Sequence, residues 1–285
     1  MKTLLLFAGL LISSFSFSQL SAGLIAQYDF SGDALDVSGN NNHGVVTSAT
    51  LVNDRQGNPL SAYHFDGVDD NIFVPAFPNT HLNYSFCAWI KADIVDQNDK
   101  GILNQVGTHT GLLENMTSFG IATMGSEDRI FGRHRASDGT FISASDNLDI
   151  DLDWHFITTT FDGDSLKFYK DGVLENFTLI NSSAPKIDTL LIGCGRTDDT
   201  PFGFFFEGSI DDIRIYNREI TDCEIEELYT GVNPCTIGLE EVSKETKKLI
   251  KIVDVLGRET PFKPNTPLLY IYNDGTVERK MIIKE

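Results

Sequence analysis

The densest set of oxygen donors in the chain is the stretch DVSGNNNHG at 36–44. It offers Asp36, Asn40, Asn41 and Asn42 within seven residues, with Gly39 and Gly44 free to turn. A hard cation such as calcium takes six to eight oxygens from carboxylates, carboxamides and backbone carbonyls held on flexible loops. The expected ligands are Asp36 and Asp211, then Asn40, Asn42 and the His43 carbonyl, with Asp212 of SIDDIRIY as a further oxygen source. Such an ion would be structural, pinning the loop. The competing reading makes Asp36-Val-Ser-Gly an Asx-turn and Asp212 a surface acid. A second cluster, Asp66-Gly67-Val68-Asp69-Asp70, reads as a hairpin turn with exposed carboxylates rather than a metal site.

Cations are scarce enough to be informative. In RIFGRHR, an extended backbone places Arg129, Phe131, Arg133 and Arg135 on one face. That stripe offers charge-assisted bonds and ring stacking to an anionic glycan. Against it stand the neighbouring Glu127 and Asp128, which can neutralise the arginines. Trp89 and Trp154 fall inside apolar strand patterns and read as buried rather than as sugar platforms. The run Phe202, Phe204, Phe205, Phe206 reads mainly as core.

Catalytic patterns are sparse. A glycosidase needs two carboxyls flanking the scissile bond, yet no E-x-D-x-E pattern exists. Glu114, Glu127, Glu175, Glu207 and Glu219 are isolated along the body. GxSxG, HExxH and P-loop motifs are also missing. A binding protein is therefore favoured over an enzyme, with a polysaccharide hydrolase or lyase as the alternative.

The elements that must position these residues are strands. Between Gln19 and Cys223, short runs rich in Val, Ile, Phe, Tyr and Thr alternate with Gly/Asp/Asn clusters. Strands are expected at 24–30, 62–65, 72–74, 85–91, 119–123, 129–135, 155–161, 165–170, 189–192 and 209–216. Asp162-Gly163 and Asp171-Gly172 predict two consecutive hairpins around 165–170. One helix follows, capped by Thr221 or Asp222, with Ile225 and Leu228 as its apolar side. Ten strands in this length suit one double-layered sandwich rather than two small domains.

Charge divides the chain. Its 285 residues carry 22 Lys+Arg and 41 Asp+Glu, a net charge of -19. Residues 19–235 hold 12 basic and 33 acidic groups, while 236–285 hold 9 and 8. An acidic body lacks the basic footprint of a nucleic-acid binder. At the N-terminus, Lys2, the apolar run Leu4–Ile12 and small Ser16 and Ser18 read as a signal peptide over 1–18. That run is too short to span a bilayer, and no other segment is long and apolar enough. An exported chain permits disulfides among Cys87, Cys194, Cys223 and Cys235. The short spacing favours a Cys223–Cys235 bridge clipping the end of the body, while Cys87 and Cys194 either pair or stay buried thiols.

Five segments in order carry a family resemblance: LIAQYDFSGDALDVSGNNNHG, VNDRQGNPLSAYHFDGVDDNIFVP, FCAWIKAD, DWHFITTTFDGDSLKFYKDG and FEGSIDDIRIYNREITDCEIEELY. Together, over 19–235, they resemble the laminin-G-like, concanavalin A-like secreted modules. The resemblance implies an all-β antiparallel jelly-roll sandwich of two sheets, with functional loops on one rim. It also implies one calcium shared by the 36–44 loop and the strand of Asp211.

The tail at 236–285 carries LGRE, PLLYIYNDG and a closing RKMII. These resemble the C-terminal sorting domain of type IX secretion substrates in Bacteroidetes, a small β module with a hairpin turn at Asn273-Asp274-Gly275. The combined expectation is a secreted or surface-attached, calcium-stabilised module. Its expected partners are a polysaccharide or a cell-surface glycan or protein, and the type IX machinery.

Overall fold

The computed structural model describes residues 19–78, 82–94, 98–106, 118–124, 129–135, 141–145, 151–180, 189–195, 202–234, 249–272 and 277–281. The chain forms two compact units, 1–234 and 235–285. Residues 1–18, and with them the expected signal peptide, lie outside the described residues.

The first unit is built almost wholly of antiparallel strands, as its alternating apolar pattern dictates. One sheet runs β13 (Val173–Leu179), β12 (Ser165–Lys170), β11 (His155–Phe161), β6 (Tyr84–Ala92), β15 (Glu207–Tyr216), β4 (Ala62–Asp66), β3 (Thr50–Val52). Strand β1 (Leu24–Tyr28) also pairs with β15. The other sheet runs β10 (Phe141–Ser145), β9 (Arg129–Arg135), β8 (Ser118–Met124), β7 (Lys100–Val106), β14 (Thr189–Ile192), β5 (Asn71–Val74), β2 (Val45–Thr47). The jelly-roll expectation holds. The two predicted hairpins form, since β12 pairs with β11 on one side and β13 on the other.

Alternate side chains of the two sheets meet in one apolar core, including Tyr28, Phe65, Phe86, Phe161, Phe168, Ile192 and Ile213. Four strands of this unit escaped the sequence reading, β2, β3, β7 and β10, and β13 is implied only by the turn before it. Strand β7, KGILNQV, carries a glycine and two amides, and β13 is an edge strand with no buried residue. Both lack the β-branched density that marks an inner strand.

The turn at 66–70 is a correction. It joins β4 in one sheet to β5 in the other, so it is a corner between layers rather than a hairpin. Asp66, Asp69 and Asp70 converge there, with ligand oxygens within 4.8 Å of one another. Asp66 and Asp70 close the corner by accepting backbone N–H bonds, Val68 N–H to Asp66 and Asp66 N–H to Asp70.

The one α-helix among the described residues, α1 (Asp222–Thr230), covers part of the outer face of the first sheet. Thr221 caps it in a reciprocal box with Glu224. Gly231 ends it in the left-handed region at φ 73°, where only glycine sits without strain, and its N–H bonds the Glu227 carbonyl at 2.8 Å. The second unit contains a three-stranded antiparallel sheet, β16 (Leu249–Val253), β17 (Leu268–Tyr272) and β18 (Val277–Lys280). The expected turn at Asn273-Asp274-Gly275 lies outside the described residues. Among the described residues no helix is long and apolar enough to cross a membrane.

Candidate functional site

On the outer face of the first sheet, strand register sets side chains in rows. Trp89 on β6 lies opposite Asp211 on β15 and Phe156 on β11, and Cys87 lies opposite Arg214 and Thr158. Helix α1 lays Ile225, Leu228 and Tyr229 over this face, forming a second apolar cluster with Cys87, Trp89, Phe156 and Tyr216. Trp89 is thus buried as expected, but under the helix rather than between the sheets. Its ring stacks near Tyr229, with centroids 5.6 Å apart.

The helix leaves a cavity of about 280 Å³, walled by Trp89, Phe156 and Leu228, with Arg55, Asp212, Arg214 and Glu227 as its charged lining. Arg55 arrives from the turn between β3 and β4, which Asp54 organises by accepting the Gln56 and Asn58 N–H groups. Its guanidinium lies 4.2 Å from the Trp89 ring centroid. The same group reaches Asp211 at 3.1 Å and Asp212 at 2.7 Å. Asp212 occupies a bulge with φ 44°, a strained value for a non-glycine residue. That bulge lets adjacent aspartates face one arginine, where regular alternation would send them to opposite faces. Burial, then the Asp212 charge, pushes the Asp211 carboxyl up to about 7, against the pull of the Asp212 N–H and Arg55.

The residues expected to hold calcium are engaged elsewhere. Asp36 Oδ1 accepts the Gln27 and Ser38 N–H groups at 3.0 and 2.9 Å, and Oδ2 accepts the Asn42 N–H at 2.9 Å. Burial raises the Asp36 carboxyl, but these bonds outweigh it and hold the pKa below the usual value. Asn40 and Asn42 donate their amides to the Leu24 and Ile25 carbonyls. The Asn42 carbonyl accepts the Tyr28 hydroxyl, and His43 Nδ1 accepts the Asp36 N–H. Asp211 belongs to Arg55, and no bond among the described residues joins it to the 36–44 loop. As folded, the two carboxylates of this set do not fit a calcium cage: Asp36 already holds three N–H donors and Asp211 a guanidinium.

The arginine stripe has the expected parity, because Ile130, Gly132 and His134 turn toward the core. Phe131, however, is only 3 % exposed, and Arg129 and Arg133 are half-buried, so the ring offers no open stacking face. The side chain of Arg135 lies outside the described residues. On the same sheet, Phe202 and Phe205 pack on Leu191 and Val106, while Phe206 enters the main core. Cys87 and Cys194 are both buried and form no disulfide, so of their two alternatives they do not pair. Cys223 lies on α1, and Cys235 lies outside the described residues.

Sequence reasoning missed Arg55 and Arg214. Arg214 carried a readable signal, a charged residue between Ile213 and Ile215 in a strand otherwise read for its acids.

The Laminin_G_3 family profile, described as the concanavalin A-like lectin/glucanases superfamily, matches residues 66–226. The chain belongs to this family. No curated protein matches it in sequence. Among solved structures, it is similar to the receptor binding domain of botulinum neurotoxin C/D mosaic serotype, at 15 % identity and TM-score 0.58, covering 91 % of this chain and 73 % of that one. The binding domain of botulinum neurotoxin DC in complex with SialylT shares 12 % identity at TM-score 0.57, covering 91 % and 74 %. Domain 4 of AbnA, a GH43 extracellular arabinanase from Geobacillus stearothermophilus, in complex with arabinotriose, shares 18 % at TM-score 0.50, covering 73 % and 98 %. At these identities the likeness is one of fold.

Proposed function

We propose that the protein is an exported, non-catalytic binding module that recognises carbohydrate, on a polysaccharide or at a cell surface. The observation that carries this reading is the cavity beneath α1. It combines aromatic and aliphatic walls with opposed charged groups, the chemistry that holds a polyhydroxylated ring with one apolar face. Two structural neighbours described as binding domains, one of them in complex with SialylT, and an arabinanase domain in complex with arabinotriose support it by fold analogy. A glycan array probed with the full secreted chain should show retained ligands, and Leu228→Trp, which fills the cavity, should lower their binding at least about tenfold. An array with no signal above background removes this reading.

In the same proposal, residues 1–18 direct export, the 236–285 unit serves as a type IX secretion address, and Cys223 bridges Cys235. Deleting 236–285 should leave the body in the periplasm, and the intact mass of secreted protein should show two thiols rather than four. The second reading, a polysaccharide hydrolase or lyase, draws on one observation: Asp211 near neutrality is a carboxyl able to carry a proton. Asp211 is 2 % exposed and bonded to Arg55, behind the cavity wall, so binding comes first. Release of reducing or unsaturated ends from polysaccharide, lost in Asp211→Asn, would reverse that order.

A further inference from the structure

Resting on the carbohydrate reading, we infer that the cavity beneath α1 selects sugars bearing a carboxylate, with Arg214 as the anchor for that charge. The body carries few cations, and the neighbouring ones are spent. Arg55 is bonded to both Asp211 and Asp212, and Arg218 forms a two-pronged pair with Glu224 at 2.9 and 2.6 Å. Arg214 differs. It is half-buried, it lines the cavity, and its guanidinium has no hydrogen bond or ion pair among the described residues.

A partly desolvated guanidinium is costly unless a charge or several acceptors meet it. Its neighbours along the sheet supply no charge. Cys87, opposite Arg214 on β6, is a fully buried thiol whose burial pushes its pKa up to about 12, so it stays neutral. Gln27 lies opposite on β1. Tyr216, the next residue on that face of β15, is fully buried, and its hydroxyl has no hydrogen-bond partner among the described residues. Burial of this phenol raises its pKa, so it too is neutral. Asp212 and Glu227 line the same cavity, but neither is bonded to Arg214 among the described residues, and the cavity is its open side.

The rest of the lining says what accompanies that charge. Asp212 and Glu227 are acceptors suited to sugar hydroxyls, and Phe156 and Leu228 suit the C–H face of a ring. A volume of about 280 Å³ lies at the small end of ligand clefts, room for one sugar residue rather than a chain. A carboxylate on a hydroxylated ring meets every part of this lining, whereas a neutral sugar leaves Arg214 unmatched and a bare carboxylate leaves the acceptors and apolar walls unused.

The test is calorimetric titration of the full secreted chain with methyl glucuronide, methyl glucoside and acetate, at low and high salt. The glucuronide should bind at least about tenfold tighter than either control, consistent with one charge-assisted bidentate bond. Raising the salt should narrow that ratio. Arg214→Gln should erase the ratio, and Arg214→Lys should restore part of it. Equal affinity for the two sugars, or a preference that survives Arg214→Gln, overturns the anchor while leaving sugar binding intact. Acetate binding as tightly as the glucuronide also overturns it. Failure of every sugar here and of the whole array removes the carbohydrate reading itself. The wild-type ratio and its salt dependence decide the matter even if the Arg214 variants do not fold.

Discussion

Arg55 lies 4.2 Å from the Trp89 ring centroid, and the same guanidinium joins Asp211 and Asp212. One side chain from a surface turn thus covers the aromatic floor of the cavity and balances two carboxylates, one of them buried.

Removing Arg55 should therefore be pH-dependent. Arg55→Ala strips the counter-charge from Asp211, and an unpaired buried carboxylate costs about 3 kcal/mol. At pH 5 Asp211 escapes that cost by taking a proton, leaving roughly 1 kcal/mol for the lost stacking and packing. Urea unfolding of wild type and variant at pH 5 and pH 8 should show the larger gap at pH 8.

Asp211 also shapes the stability of the intact protein. Its folded pKa of about 7 stands above the ordinary carboxylate value. A raised value means that the folded state holds the proton more tightly, so this contribution is complete below about pH 4 and lost as pH rises through about 7. Asp36 and Glu224 have the opposite sign: their lowered values stabilise the fold above the ordinary carboxylate range and lose that effect in acid. Thermal melts should peak in mildly acidic buffer. Asp211→Asn should flatten the decline toward pH 8 and leave the acid side unchanged.

The 36–44 loop should stand without a metal. Three backbone N–H groups end on the Asp36 carboxylate, and they are left unmet in Asp36→Ala, which should cost roughly 2–4 kcal/mol. EDTA and added calcium should each leave the wild-type Tm unchanged within about 1 °C, since a stabilising ligand would raise it by mass action.

The roof of the cavity depends on the start of α1. Thr221→Ala removes one half of the capping box and should destabilise the body by about 1 kcal/mol. Glu224→Ala should cost more, because it also releases Arg218, whose two bonds to that carboxylate are 2.9 and 2.6 Å long. Hydrogen exchange over 222–230 should quicken in both variants.

The amino-acid order by itself determined the architecture. Alternation in β6, β11 and β12, the two Asp-Gly turns and the Thr221–Glu224 box are local features, each closed within a few residues. The Asx-turn reading of Asp36 was legible for the same reason, since Ser38 lies two residues away. The partner of Asp211 was not: Arg55 is 156 positions distant and reaches it only because β4 pairs with β15 in one register. Nor could sequence alone show that Trp89 is roofed by a helix, or that Arg214 lines the cavity with no ion pair among the described residues. Strand parity assigns a side chain to a face, but what covers that face depends on the tertiary path of segments far along the chain. The cavity exists only where α1 crosses β6, β11 and β15, so only the tertiary structure could place it.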